Sequence, residues 1–132
     1  MIRRVSLCLL LFGAAAQAQT GVCGPLASFV IGDEGLEGAT CTTSRLLGGG
    51  ASKDCYWSFD FRSDAARAWF EDHAKLLRHC ADGPVTQQGA RVNHPDSFDQ
   101  LTAHVENREV SLSLKDKGAL SQTLVFLRVA QP

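Results

Sequence analysis

Between Cys55 and Cys80 the apolar period changes from two to 3.6 with almost no spacer, and this stretch constrains the fold more than any other. In Cys55-Tyr56-Trp57-Ser58-Phe59-Asp60-Phe61-Arg62 the residues alternate strictly. Cys55, Trp57, Phe59 and Phe61 point to one side and Tyr56, Ser58, Asp60 and Arg62 to the other, as in a strand buried on one face. Ser63 or Asp64 then caps a helix over 65–79. On the helical wheel Ala66, Trp69, Phe70, His73, Leu76, Leu77 and Cys80 gather on one face, with Arg67, Glu71, Lys75 and Arg78 opposite. A strand that feeds directly into an amphipathic helix implies a helix folded back across a sheet.

The N-terminus and the cysteines indicate the compartment. Arg3 and Arg4 precede an apolar run from Val5 to Ala16, and Ala16-Gln17-Ala18 has the small-x-small pattern of a signal-peptidase site. Residues 1–18 therefore read as a cleaved signal peptide, with Cys8 lost inside it, and residues 19–132 as a single domain. Loss of Arg3 and Arg4 takes thirteen Lys and Arg to eleven, against fourteen Asp and Glu. An acidic chain without a basic run disfavours nucleic acid as partner. No second apolar segment is long enough to span a membrane. Localisation is expected to be periplasmic or extracellular.

Four cysteines remain: Cys23, Cys41, Cys55 and Cys80. An even number in a small exported chain reads as two disulfides. A metal site is the competing reading, but no C-x-x-C or H-x-x-x-H pair supplies two ligands from one turn, so no metal or other cofactor is expected. The strand from Cys55 covers about 20 Å, and the helix to Cys80 runs back along it over about 25 Å. Both sulfurs then face the same layer, which predicts Cys55–Cys80 and, by elimination, Cys23–Cys41.

The rest of the chain completes an α+β domain: an antiparallel β-sheet with one long amphipathic helix packed on one face. Leu26 to Ile31 reads as a short strand or covering segment among glycines, and Thr40 to Leu47 as a strand. Gly48-Gly49-Gly50 is a linker, since it lacks the spacing and following helix of a phosphate loop. Val85 to Val92 reads as a polar loop, and Asn93-His94-Pro95-Asp96 as a turn. Three strands follow. The first runs from Phe98 to Val105, with a turn at 106–109. The second carries Val110, Leu112 and Leu114, with a turn at 115–118. The last runs from Leu120 to Ala130.

Few residues point to chemistry. His73 lies on the helix's apolar face and reads as a neutral core imidazole rather than a tuned base. His94, Asp96, Asp99 and His104 are the densest group of acid–base candidates, and Asp96 could orient His94. This group carries the alternative of a small exported hydrolase using His, Asp or Glu from residues 93–109. His104, Glu106, Glu109, Arg62 and Arg128 could mimic the sheet-face residues of small secreted nucleases, but the acidic charge counts against a phosphate partner.

The last strand supplies the leading reading. Val125, Leu127 and Val129 point one way, and Leu124 and Phe126 the other, so the strand is apolar on both faces and expected to be central. Either Leu26 to Ile31 covers Leu124 and Phe126, or these residues, with Tyr56, form a docking surface for a partner protein or an apolar ligand. A non-catalytic exported binding or accessory protein is the function this favours.

Overall fold

The computed structural model describes residues 21–93 and 96–131, and of these only the backbone over 89–93, 96 and 97. The signal segment 1–18, Cys8 and His94 lie outside the described residues. In chain order the elements are α1 (Gly24–Ile31), β1 (Thr40–Arg45), β2 (Ala51–Asp60), α2 (Asp64–Cys80), β3 (Thr86–Asn93), β4 (Asp96–Val105), β5 (Arg108–Lys117), a single 3₁₀ turn (Gly118–Leu120) and β6 (Gln122–Gln131). The six described strands form one antiparallel sheet in the order β1-β2-β6-β5-β4-β3. The fold is α+β.

Local chemistry explains the joints. Ser63 has an extended backbone and its hydroxyl accepts from the Ala66 N–H, which caps α2. β4 and β5 meet at Glu106 and Asn107, both with positive φ (52° and 60°), the backbone that a two-residue hairpin of matching twist requires. Across the β1–β2 hairpin, Gly48, Gly49 and Gly50 all take positive φ, and the Leu46 N–H donates to the Gly50 carbonyl. The glycine run is a turn.

The core lies between the sheet and its helices. α2 contributes Ala66, Phe70, Ala74 and Leu77, which pack on Cys55, Trp57, Leu101, Ala103, Val110, Leu112, Val125, Leu127 and Val129. Each large aliphatic side chain fully removed from water there stabilises the fold by roughly 1.5–3 kcal/mol. Trp69 and His73, read from the wheel as core, sit at its margin. Trp69 is 38 % exposed, and the His73 Nδ1–H donates to the Trp69 carbonyl one turn back. The His73 ring lies 5.1 Å from Trp57 and 4.8 Å from Trp69.

Three expectations are corrected. The sheet carries two helices, because Leu26 to Ile31 belongs to α1 rather than to a strand. Pro25 sits in the first turn of α1, where its missing N–H costs nothing, and Leu26, Phe29 and Val30 recur at helical spacing on its buried side. All three join the core that α2 covers, so both helices occupy one face of the sheet. Val85 to Val92 is not a loop: β3 occupies 86–93 as an edge strand paired only with β4, with a register shift between Gln88 and Arg91. An edge strand needs no apolar face, which is why its polar composition concealed it.

The disulfides are Cys23–Cys80 and Cys41–Cys55, not the pairs expected. Cys41 and Cys55 are directly opposed in the β1–β2 ladder, with Cα atoms 4.1 Å apart. The cross-strand partner is closer to Cys55 than the end of the helix above it. Cys80, at the end of α2, instead meets Cys23, the residue before α1, with Cα atoms 5.5 Å apart. One disulfide cross-links the edge hairpin and the other ties the two helices together.

Two basic side chains complete the α1 attachment. Lys53 is 6 % exposed and its ammonium donates to the Phe29 carbonyl, to Gly32 O at 2.8 Å and to Glu34 O at 3.1 Å. Arg108 donates to Val30 O at 2.8 Å. The C-terminal carbonyls of a helix carry partial negative charge, so cations there satisfy orphan acceptors and oppose the helix dipole favourably.

Candidate functional site

With both helices on one side, the other face of the sheet is left to its own side chains. Register fixes which of them adjoin. One row crosses all six strands through Thr42, Asp54, Arg128, Ser111, Thr102 and Thr86. The next runs through Thr40, Tyr56, Phe126, Ser113, Gln100 and Gln88, and a third through Ser58, Leu124, Lys115 and Phe98. No described helix lies over these rows. The face is a band of hydroxyls and amides with one aromatic and aliphatic corner.

That corner and band enclose a concavity of about 320 Å³. Phe126, Lys115 and Arg128 line it together with Ser111, Ser113 and Gln100, and β1 closes it with Thr42 and Ser44. Strands from β1 to β4 share one hollow because a twisted sheet curls. Tyr56 stacks at a tilt on Phe126, ring centroids 5.5 Å apart. Leu124 is 8 % exposed, whereas Tyr56 and Phe126 are half-buried. The aromatic pair is therefore the accessible apolar element.

The charges here are unequally matched. Arg128 forms an ion pair with Asp54, whose other oxygen accepts from Ser52 at 2.8 Å. Lys115 has no carboxylate partner among the described residues; its ammonium lies 4.9 Å from the Phe126 ring centroid. In register Lys115 stands between Leu124 and Phe98. Burial, reinforced by the charges of Lys117 and Arg128 and only partly offset by Asp54, holds its ammonium below the ordinary lysine range. Among the described residues, the hollow has one cation without a counter-charge.

Comparison with protein-family models, curated proteins and solved structures finds no match. The hollow must be read from its chemistry alone.

Of the acid–base candidates, Asp99 and His104 do not line the hollow. His94 is outside the described residues, and Asp96 contributes only its backbone, at the start of β4. Asp99 turns to the helix side, where it accepts from Arg67 at 2.6 Å. His104 is exposed near the end of β4, with Glu109 as its cross-strand partner. Arg62 is at the far end of β2: its backbone N–H donates to Thr123 Oγ1 at 2.7 Å, and its guanidinium lies 3.4 Å from Asp116. Along the sheet that is roughly 20 Å from His104 at 3.3 Å per residue, so Arg62 stands apart from His104, Glu109 and Arg128, which share the open face. Among the described residues no imidazole pairs with a carboxylate, and no group of His, Cys, Asp and Glu could hold a metal ion.

Of the hollow's lining, the sequence reading singled out Phe126 as a binding residue, with Tyr56 and Leu124 beside it. Lys115, Ser111, Ser113, Gln100 and Thr42 were missed as a group. Ser111, Ser113 and Gln100 alternate visibly with core residues, whereas the pattern places Lys115 in a turn at 115–118, and β5 instead continues through it to Lys117. Their convergence needs β6 to lie between β2 and β5, which alternation does not specify.

Proposed function

We propose that this chain is an exported, non-catalytic binding or accessory protein whose ligand docks on the open sheet face at Phe126, Tyr56 and Leu124. One observation carries the reading: α1 packs beside α2 rather than over Leu124 and Phe126. The segment that could have made this face a second core is used elsewhere. Two intramolecular disulfides fit an oxidising, exported compartment. Among the described residues no helix is long and apolar enough to cross a membrane. The polar lining favours a ligand that offers hydrogen-bonding groups beside one apolar face over a wholly apolar one.

The test is retention of native envelope material by the immobilised, oxidised protein. Phe126→Asp should abolish retention while the melting transition stays within a few degrees of wild type. Lys75→Asp, on the exposed side of α2, should change neither. Equal loss with both substitutions, or undiminished retention by Phe126→Asp, would remove the open face as the docking site.

A further inference from the structure

The chemistry of the hollow narrows the ligand, on the premise that the open face is where binding occurs. Among the described residues that line the hollow, Arg128 and Asp54 neutralise each other, which leaves the formal charge of Lys115 as the excess. A single uncompensated cation calls for a monoanionic group; a phosphate dianion is usually met by several cations or a bidentate arginine, and Arg128 is already engaged. Around Lys115 the available groups are neutral: the Ser111 and Ser113 hydroxyls and the Gln100 amide, each able to donate and to accept. The Phe126 ring supplies an apolar wall beside them. At about 320 Å³ the space is at the small end of ligand sites, which span roughly 300–1,000 Å³. A ligand that meets these terms has one carboxylate, several hydroxyls of mixed donor and acceptor character, and one C–H face.

We propose that the open-face hollow binds a carboxylated saccharide, with the carboxylate on Lys115, hydroxyls on Ser111, Ser113 and Gln100, and a C–H face against Phe126. The test uses the oxidised protein and amide NMR titration with methyl α-galacturonoside, its methyl ester and methyl α-galactoside, which share one sugar ring and differ in a single carboxylate. The galacturonoside should shift the amides of Ser111, Ser113, Gln100 and Phe126. Its methyl ester and the galactoside should bind at least about tenfold more weakly, the loss expected for one charge-assisted hydrogen bond. Lys115→Met should weaken the galacturonoside by a similar factor, and Lys117→Met should leave most of the affinity.

Several outcomes overturn the inference. These are equal binding of the acid and its ester, shifts confined to another part of the surface, no binding of any of the three, or tighter binding of inorganic phosphate than of the galacturonoside at Lys115. If the galacturonoside fails while envelope retention still depends on Phe126, the saccharide assignment falls and the binding role stands. If neither depends on Phe126, both fall.

Discussion

Lys53 carries more of the fold than its position in a polar turn-and-strand segment announces. Its ammonium serves carbonyls at the end of α1, and it stacks 4.0 Å from the Phe29 ring centroid. Lys53→Met keeps the apolar stem but leaves those carbonyls without their donor, and is expected to lower stability by about 2 kcal/mol. Urea unfolding would measure the loss. Amide exchange should show α1 opening faster while β5 and β6 keep their protection. Burial lowers the affinity of Lys53 for its proton, with the charge of Arg108 acting in the same direction and Asp33 and Glu34 opposing. Lys115 is lowered as well. For a lysine whose folded pKa lies below its unfolded value of about 10.5, the unfolded chain holds more protons in the window between the two, so stability rises with pH there. Below that window the charged ammonium is a standing cost, offset in part by the contacts it makes. Lys115→Met should therefore flatten the rise in stability just below pH 10.5 relative to wild type, with the contribution of Lys53 retained. An unchanged slope would show that Lys115 is as well solvated as a surface lysine.

At the scale of elements, the disulfides give the sharpest prediction. A non-reduced peptide map should link Cys23 to Cys80 and Cys41 to Cys55. Replacing the pair that closes 57 residues should cost about 4 kcal/mol on a chain-entropy estimate, and the pair that closes 14 about 3 kcal/mol. Isolation of a Cys55–Cys80 peptide would contradict the β1–β2 register. The β2-to-α2 joint was legible because its residues satisfy local rules: alternation, then Ser63 as cap, then helical spacing. α1 was legible in part. Leu26, Phe29 and Val30 have helical spacing and Pro25 suits a first helical turn, yet a six-residue apolar run between glycines fits a strand equally well. β3 left no trace, since Thr86, Gln87 and Gln88 are polar and exposed and an edge strand needs no apolar signal. The pairing of cysteines failed for a related reason. The lengths of β2 and α2 alone favour Cys55–Cys80, while the deciding fact is the cross-strand neighbour of Cys55, a matter of register.

For the whole molecule, the decisive arrangement is two helices on one face of a six-stranded sheet. Composition and alternation identified an α+β domain held by disulfides, but which face α1 would choose depends on Cys23, Lys53 and Arg108 acting together at long range. The candidate site follows from that choice. Its polar rows exist only once β6 sits between β2 and β5, and its openness only once α1 is placed beside α2. β6 offers a direct test, because Val125 and Phe126 are adjacent in sequence and on opposite faces. Val125 is completely buried under the helices, and Phe126 lies in the hollow. The measurement is thermal and urea unfolding of Val125→Asp and Phe126→Asp in the oxidised protein. A buried, unpaired carboxylate should cost Val125→Asp more than 4 kcal/mol and unfold much of the population, whereas Phe126→Asp should melt within a few degrees of wild type with both disulfides formed. If Phe126→Asp unfolds as readily as Val125→Asp, that face is a second core and the account of an open binding surface is contradicted.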